Sequence, residues 1–145
     1  MTNTARMPPA AALLGYGGLI PFAGAALAVV LDIQTALALT VFIAYSATIL
    51  AFLGGMQWGL AFHLGPSGFR ERLVVGVLPS LLAWVCLLLG GSGALVLLAA
   101  GFIAIYAYDL VRNLAALPAW VARLRLHLTA GVVICHLGVL IAGGA

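Results

Sequence analysis

The chain has 145 residues, of which 66% are hydrophobic and only 6% are charged, and its net charge is +3. A water-soluble domain normally carries about 25% charged residues because its surface faces water, so this composition excludes a soluble globular fold. It also excludes a disordered chain, since disordered chains lack this much apolar side chain, and a small polytopic membrane protein remains.

Five apolar segments are each long enough to cross a bilayer. A helical crossing needs about 20 apolar residues, because each residue rises about 1.5 Å through a hydrocarbon core about 30 Å thick. Strands of a membrane barrel would alternate apolar and polar residues, whereas runs such as SLLAWVCLLLG are apolar throughout. The sequence predicts one all-α domain over residues 1–145, a polytopic integral membrane helix bundle. Its five transmembrane helices are expected at about 10–31, 35–62, 73–89, 94–111 and 124–142.

The first span has two interpretations. Arg6, the apolar stretch after it and the small residues Ala26-Leu27-Ala28 loosely resemble a secretory signal peptide. The stretch is longer than the apolar region of a usual signal peptide, however, and it contains Pro21. We therefore expect an uncleaved transmembrane helix here.

The second span contains Gly55 and Gly59, and glycines at this spacing form a shallow groove that another helix can approach closely. Thr48 recurs on the same stripe, because residues three and four apart share a helix face. This packing face predicts either a contact within the bundle, which we favour, or a contact with a partner helix. Gln57 lies about 200° around the helix from Gly55 and aligns with Ser46, so its amide is expected to bond a neighbouring helix.

The third span carries Pro79 in its interior, followed by Ser80. Proline removes one backbone hydrogen bond and typically kinks a helix. Ser80 could bond the freed backbone locally, which is the simpler interpretation. A binding pocket at the kink is the alternative.

The fourth span ends with Asp109 and Arg112, three residues apart, after Tyr106. That spacing predicts an interfacial ion pair on one helix face, in which Arg112 reaches towards water. A proton-carrying carboxylate is the alternative, but a relay would need further acids deep in other spans, and Asp32 and Glu71 both lie at span ends.

The histidines and cysteines suggest no metal centre. His63 and His127 both fall near the helix ends on one side of the membrane, the cytoplasmic side, and could hold a haem, but we expect packed or interfacial imidazoles and no cofactor. His127 and His136 are nine residues apart, about 180° around a helix, so they cannot share an ion. Cys86 and Cys135 lack the spacing of a zinc site, and their thiols are expected to pack as small apolar groups.

All basic residues fall on one side of the membrane when the five spans alternate in direction. They are Arg6, Arg70, Arg72, Arg112, Arg123 and Arg125, whereas the opposite side receives Asp32. Because basic loops stay in the cytoplasm, the N-terminus is predicted to be cytoplasmic and the C-terminus external. Most polar side chains within the spans lie in the cytoplasmic half, where a partner or ligand is expected. The candidate polar site residues are Gln57, Ser80, Tyr106, Asp109, Arg112 and His127.

Four short motifs occur in order along nearly the whole chain: LGYGGLIPF (14–22), FLGGMQWG (52–59), LPSLLAW (78–84), and LPAW (117–120) followed by RLR (123–125). In these motifs the chain resembles an uncharacterised five-helix family of bacterial membrane proteins that also includes mitochondrial transmembrane protein 69. The resemblance implies a bacterial inner membrane or an organelle inner membrane, and it implies no particular activity.

The function predicted from these observations is that of a non-enzymatic accessory or assembly subunit. The chain has no catalytic motif such as GxSxG, a Walker loop or HExxH, and its three acidic residues lie apart, so we assign no catalytic residues. The expected partners are membrane lipids and an integral-membrane protein or a second copy, and nucleic acid is excluded because the arginines follow a membrane boundary. The alternatives are a small lipid- or quinone-binding or transporting protein and, third, a haem-binding redox subunit.

Overall fold

The computed structural model describes residues 6–143, and within them the chain is helical without strands. The helices are α1 (Pro9–Gly17), α2 (Leu19–Val30), α3 (Thr35–Leu64), α4 (Phe69–Leu89), α5 (Gly91–Arg112) and α6 (Ala119–Ile141), with a 3-10 turn at Leu114–Ala116. Five segments are long and apolar enough to cross a membrane: α1 together with α2, and each of α3 to α6. The predicted all-α bundle of five transmembrane helices is confirmed.

The first span is interrupted at Gly18, between α1 and α2. Pro21 has no N–H to donate to the Gly17 carbonyl one turn earlier, and its ring crowds that carbonyl, so a continuous helix is disfavoured. The Tyr45 hydroxyl of α3 donates a hydrogen bond of 3.0 Å to the Gly18 carbonyl. A side chain of the neighbouring span thereby satisfies a backbone group at the break, as the membrane interior requires.

Short connections make α3, α4 and α5 antiparallel neighbours. The residue before α4 is Gly68, with φ +71°, and the residue before α5 is Gly90, with φ +61°. Glycine occupies this left-handed region without the steric cost that a Cβ brings, so each chain reversal needs only a few residues.

Helices α3 and α4 cross with their backbones in close contact at Gly54 and Gly76. A Cβ atom added to Gly76 would lie 2.8 Å from the Gly54 carbonyl oxygen and 2.6 Å from Cδ1 of Trp58, and one added to Gly54 would overlap the Gly76 carbonyl. The Trp58 indole N–H also donates to the Leu73 carbonyl at 3.1 Å. Only glycine at both positions permits this approach, the close contact that small residues allow in membrane helices.

The centre of the bundle is a cluster of aromatic rings around His136. The His136 ring centroid lies 4.7 Å from that of Phe42 and 5.8 Å from that of Phe102, and Phe22 packs edge-on against both phenylalanines. His136 is fully buried, with Nδ1 2.9 Å from the Val132 carbonyl oxygen one turn earlier. The ring is therefore a core element of α6.

The C-termini of α3 and α5 meet the N-termini of α4 and α6 at one end of the bundle, which we call the arginine end. It holds Arg70, Arg72, Arg112, Arg123 and Arg125. Helices α4 and α6 begin at Phe69 and Ala119, ahead of the apolar runs from which their spans were predicted. Arg72 and Arg125 therefore lie on helical turns and are buried, not directed at headgroups as expected from the sequence.

Candidate functional site

Asp109 is the centre of a buried polar network at the arginine end. Its Oδ1 accepts hydrogen bonds of 2.8 Å from Gln57 Nε2 of α3 and from Asn113 Nδ2 after α5. Its Oδ2 accepts from Nε of Arg125 at 3.1 Å and from Nη2 of the same guanidinium, an ion pair between α5 and α6. Gln57 and Asn113 are each 1% exposed and Asp109 is 4% exposed. These side chains meet inside the protein, shielded from lipid.

Asn113 extends the network to α4. Its Nδ2 also donates to Gln57 Oε1 at 2.8 Å, and its Oδ1 accepts from Arg72 Nε at 2.9 Å. The other Arg72 nitrogens donate to the carbonyls of Ser67 and Arg112. Arg112 is the last residue of α5, and a cation is favoured beside the carbonyls that end a helix. The network thus joins four spans, α3 to α6.

The charges and hydrogen bonds of the network define its chemistry. Asp109 carries −1 and Arg125 and Arg72 carry +1 each, so the cluster carries +1 in total. The Asp109 carboxylate accepts four hydrogen bonds, which matches its acceptor capacity. A carboxylate with all its acceptor sites engaged is poorly placed to act as a base. The arrangement instead fixes the relative positions of four helices.

Arg112 does not pair with Asp109, so the ion pair predicted from their spacing is wrong. Arg112 Nε donates to Glu71 Oε1 of α4 at 2.8 Å, and Nη2 bonds Oε2 of the same carboxylate. Asp109 faces the bundle interior while Arg112 is exposed, and each finds its partner on another helix. The spacing of two residues along one helix does not show whether a neighbouring helix supplies a competing partner.

The remaining polar candidates lie apart from the network. Ser80 is exposed on α4, and Tyr106 is partly exposed on α5. His127 is exposed on α6, where its Nδ1 lies 2.9 Å from the Tyr16 hydroxyl of α1. His63 is exposed near the end of α3. Among residues 6–143 there is no group of three or more His, Cys, Asp or Glu side chains that could hold a metal ion.

The packing face of α3, defined by Thr48, Gly55 and Gly59, is exposed. Nothing in the described part of the chain lies within 4 Å of a Cβ added to Gly55 or Gly59. The favoured interpretation, a contact within the bundle, is therefore wrong: the internal contact uses Gly54, one residue earlier and about 100° around the helix. The packing face therefore lies on the outer surface of the bundle.

An apolar groove follows the boundary between α4 and α5 beside Pro79. It has a volume of about 210 Å³, and its lining includes Val75, Leu82, Ala104 and the ring of Tyr108. Pro79 itself is buried against α3, with its ring atoms 3.2–3.3 Å from the Cβ position of Gly54. The proline thus borders an opening on one side and the closest helix contact on the other.

Sequence reasoning missed Arg72, Asn113 and Arg125 as network members and missed Gly76 as a packing residue. One available signal was the four-residue step from Asp109 to Asn113, which places both on one face of the same helix end. Another was the presence of several arginines at the same depth as a single membrane-embedded acid, which favours an ion pair between helices.

Comparisons with known proteins give a family and one curated relative. A family model described as "Protein of unknown function (DUF3429)" matches residues 7–141. "Transmembrane protein 69" of Xenopus tropicalis is 36% identical over 141 residues, which cover 92% of this chain and 54% of the relative. The chain therefore spans about half the length of that relative. No solved structure matches the chain. Both matches agree with the family resemblance predicted from the motifs.

Proposed function

Since this chain belongs to the DUF3429 family of proteins of unknown function, we propose that it is a non-enzymatic accessory or assembly subunit in the membrane. It packs against a larger integral-membrane complex or against a second copy of itself. The contact is made by the outer side of α3, at the packing face of Thr48, Gly55 and Gly59.

The observation that carries this proposal is the exposure of that face. Gly55 and Gly59 leave the α3 backbone open to close approach, and none of the described helices makes use of it. The Thr48 hydroxyl donates a hydrogen bond to the Ala44 carbonyl of its own helix. This donor is therefore satisfied, and the face can contact lipid or a partner helix without leaving it unpaired. Small residues at four-residue spacing are the sites where membrane helices associate.

The polar network supports a structural role in the same proposal. Asp109 is saturated by donors from three neighbouring residues, and its buried charge is matched by Arg125. Such a network holds helix positions, and thereby the orientation of α3, without chemistry of its own. A bundle whose helices are held in place and whose α3 has an open face suits an assembly subunit.

We place the arginine end in the cytoplasm of a bacterial cell, with the N-terminus cytoplasmic and the C-terminus periplasmic in the inner membrane. The charge distribution supports this orientation, because the arginines of α4, α5 and α6 lie at this end of the bundle, whereas Asp32 lies in the turn before α3 at the other end. Exposed arginines at this end would also meet anionic headgroups.

Replacing Gly55 with leucine tests the proposal, because the new side chain would start from a Cβ position that no described residue approaches within 4 Å and would occupy the open face. We expect the variant to fold with wild-type thermal stability and to lose its protein partner, or its dimer, when purified in mild detergent. Mass spectrometry of co-purifying proteins and lipids provides the measurement. Gly24→Leu is the matched control, since Gly24 is an exposed glycine on α2 with nothing within 4 Å of its Cβ position.

Two results would count against the proposal. One is wild-type association in Gly55→Leu. The other is a wild-type protein that is monomeric, has no protein partner, and retains one defined lipid or quinone in the groove beside Pro79. That second result would favour a lipid- or quinone-binding function, for which the groove of about 210 Å³ beside Pro79 is the specific structural candidate.

A further inference from the structure

The turn between α3 and α4 borders a shallow, open cavity at the arginine end. Its volume is about 610 Å³, and its wall includes Phe62 of α3, the turn residues Gly65 and Pro66, and Phe69 and Arg70 of α4. Because the turn lies at the end of two membrane spans, the cavity is at the depth of lipid headgroups and the first carbons of their acyl chains.

The apolar part of the wall is a pair of phenylalanines. Phe62 and Phe69 pack edge to face, with ring centroids 5.4 Å apart and an angle of 75° between the rings. Phe62 is 70% exposed, so one ring of the pair is available to a ligand. At this depth an exposed aromatic ring favours contact with an acyl chain over contact with water.

The polar part of the wall contains two charged side chains, Arg70 and Glu71. Arg70 is exposed, and between residues 6 and 143 it forms no hydrogen bond or ion pair in the structure. Its neighbour Glu71 cannot neutralise it, because both Glu71 carboxylate oxygens are held by Arg112. Arg72 adds positive potential from behind the turn, since its guanidinium bonds only neutral oxygens. The charges of Arg112 and Glu71 cancel, so Arg70 and Arg72 give the region around the α3–α4 turn a net charge of +2.

We propose that this cavity is a binding site for one anionic glycerophospholipid. Arg70 binds the phosphate, and the edge-to-face pair of Phe62 and Phe69 packs against the upper part of an acyl chain. The occupant is a lipid and not a free phosphate, because the exposed ring of Phe62, packed on Phe69, adjoins the cation within one cavity. A guanidinium is well suited to such a phosphate because it donates parallel hydrogen bonds.

Native mass spectrometry of the full chain, titrated in micelles with phosphatidylglycerol or phosphatidylcholine, tests the proposal. We expect wild type to retain one phosphatidylglycerol in preference to phosphatidylcholine, and Arg70→Gln to weaken that binding about five-fold or more. Arg70→Lys should retain part of the affinity. Arg123→Gln is the matched control, since Arg123 is an exposed arginine on α6 at the same end of the bundle. It should bind as wild type does.

Equal losses in Arg70→Gln and Arg123→Gln would overturn the proposal, because they would indicate a diffuse surface charge. Equal binding of the two lipids by wild type, or wild-type binding by Arg70→Gln, would also overturn it. Arg70 and Arg123 are both exposed, so each variant should fold, and thermal unfolding in the same micelles verifies this.

Discussion

Asp109→Asn should destabilise the bundle by about 3–5 kcal/mol, the usual cost of leaving one partner of a buried ion pair without its counter-charge. Arg125 is 7% exposed and has Asp109 as its ion-pair partner, so its charge would stay buried and uncompensated. The new amide also brings a donor to a position where Gln57 and Asn113 already direct donors. The measurement is the free energy of unfolding in mixed detergent micelles.

Two controls separate this effect from a general sensitivity to lost charge. Glu71→Gln removes an ion pair that is exposed on both sides, and its destabilisation should be much smaller. The double variant Asp109→Asn with Arg125→Met removes both buried charges and should recover a large part of the loss, which a double-mutant cycle quantifies. If Asp109→Asn costs no more than Glu71→Gln, the network does not hold the helices together.

Gly76→Ala should also destabilise the protein, by about 1–3 kcal/mol, because even one added methyl group has no space where α3 and α4 cross. The new carbon would lie 2.8 Å from the Gly54 carbonyl oxygen and 2.6 Å from Trp58, so the helices would have to separate. The same unfolding assay measures the change. Gly55→Ala is the matched control: its methyl group meets open space and should leave stability unchanged or slightly raised. Similar losses in both variants would show that the crossing is elsewhere.

The membrane spans could be predicted from the sequence because each depends on a local property, the length of an apolar run. Pro21 likewise acts on its own helix, and the break at Gly18 follows from its missing donor, whereas α4 continues through Pro79 from Phe69 to Leu89. The starts of α4 and α6 could not be predicted in this way. Arginines continue these helices beyond the apolar runs, and hydropathy alone does not distinguish a charged helical turn from a loop.

The contacts between helices depend on which face of each helix turns inward, and spacing does not determine this. Gly54 and Gly55 differ by about 100° around α3, yet one is locked against α4 and the other is open. Asp109 was expected to bind the arginine on its own helix, whereas the bundle supplies Arg125 from α6. Which partner each side chain contacts depends on how all five spans pack together. The spacing of residues along one helix does not determine this.

The proposed function depends on a difference between the two sides of α3, because the inner side packs in the bundle and the outer side is open. Gly54 and Gln57 bind this helix to the rest of the bundle, while Gly55 and Gly59 lie open on its outer side, where we propose that a partner binds. Changes on the inner side should therefore affect folding, and changes on the outer side should affect association. This separation lets the two roles be tested in different variants of one protein.

The most direct test is photo-cross-linking in intact membranes from two exposed positions, one on α3 and one on α4. A photoreactive residue at Thr48 on α3 is compared with one at Trp84, which is exposed on α4 at a similar distance from the arginine end. We predict a discrete protein adduct from position 48 and lipid adducts alone from position 84. The same lipid adducts from both positions, with no protein adduct at 48, would contradict the account.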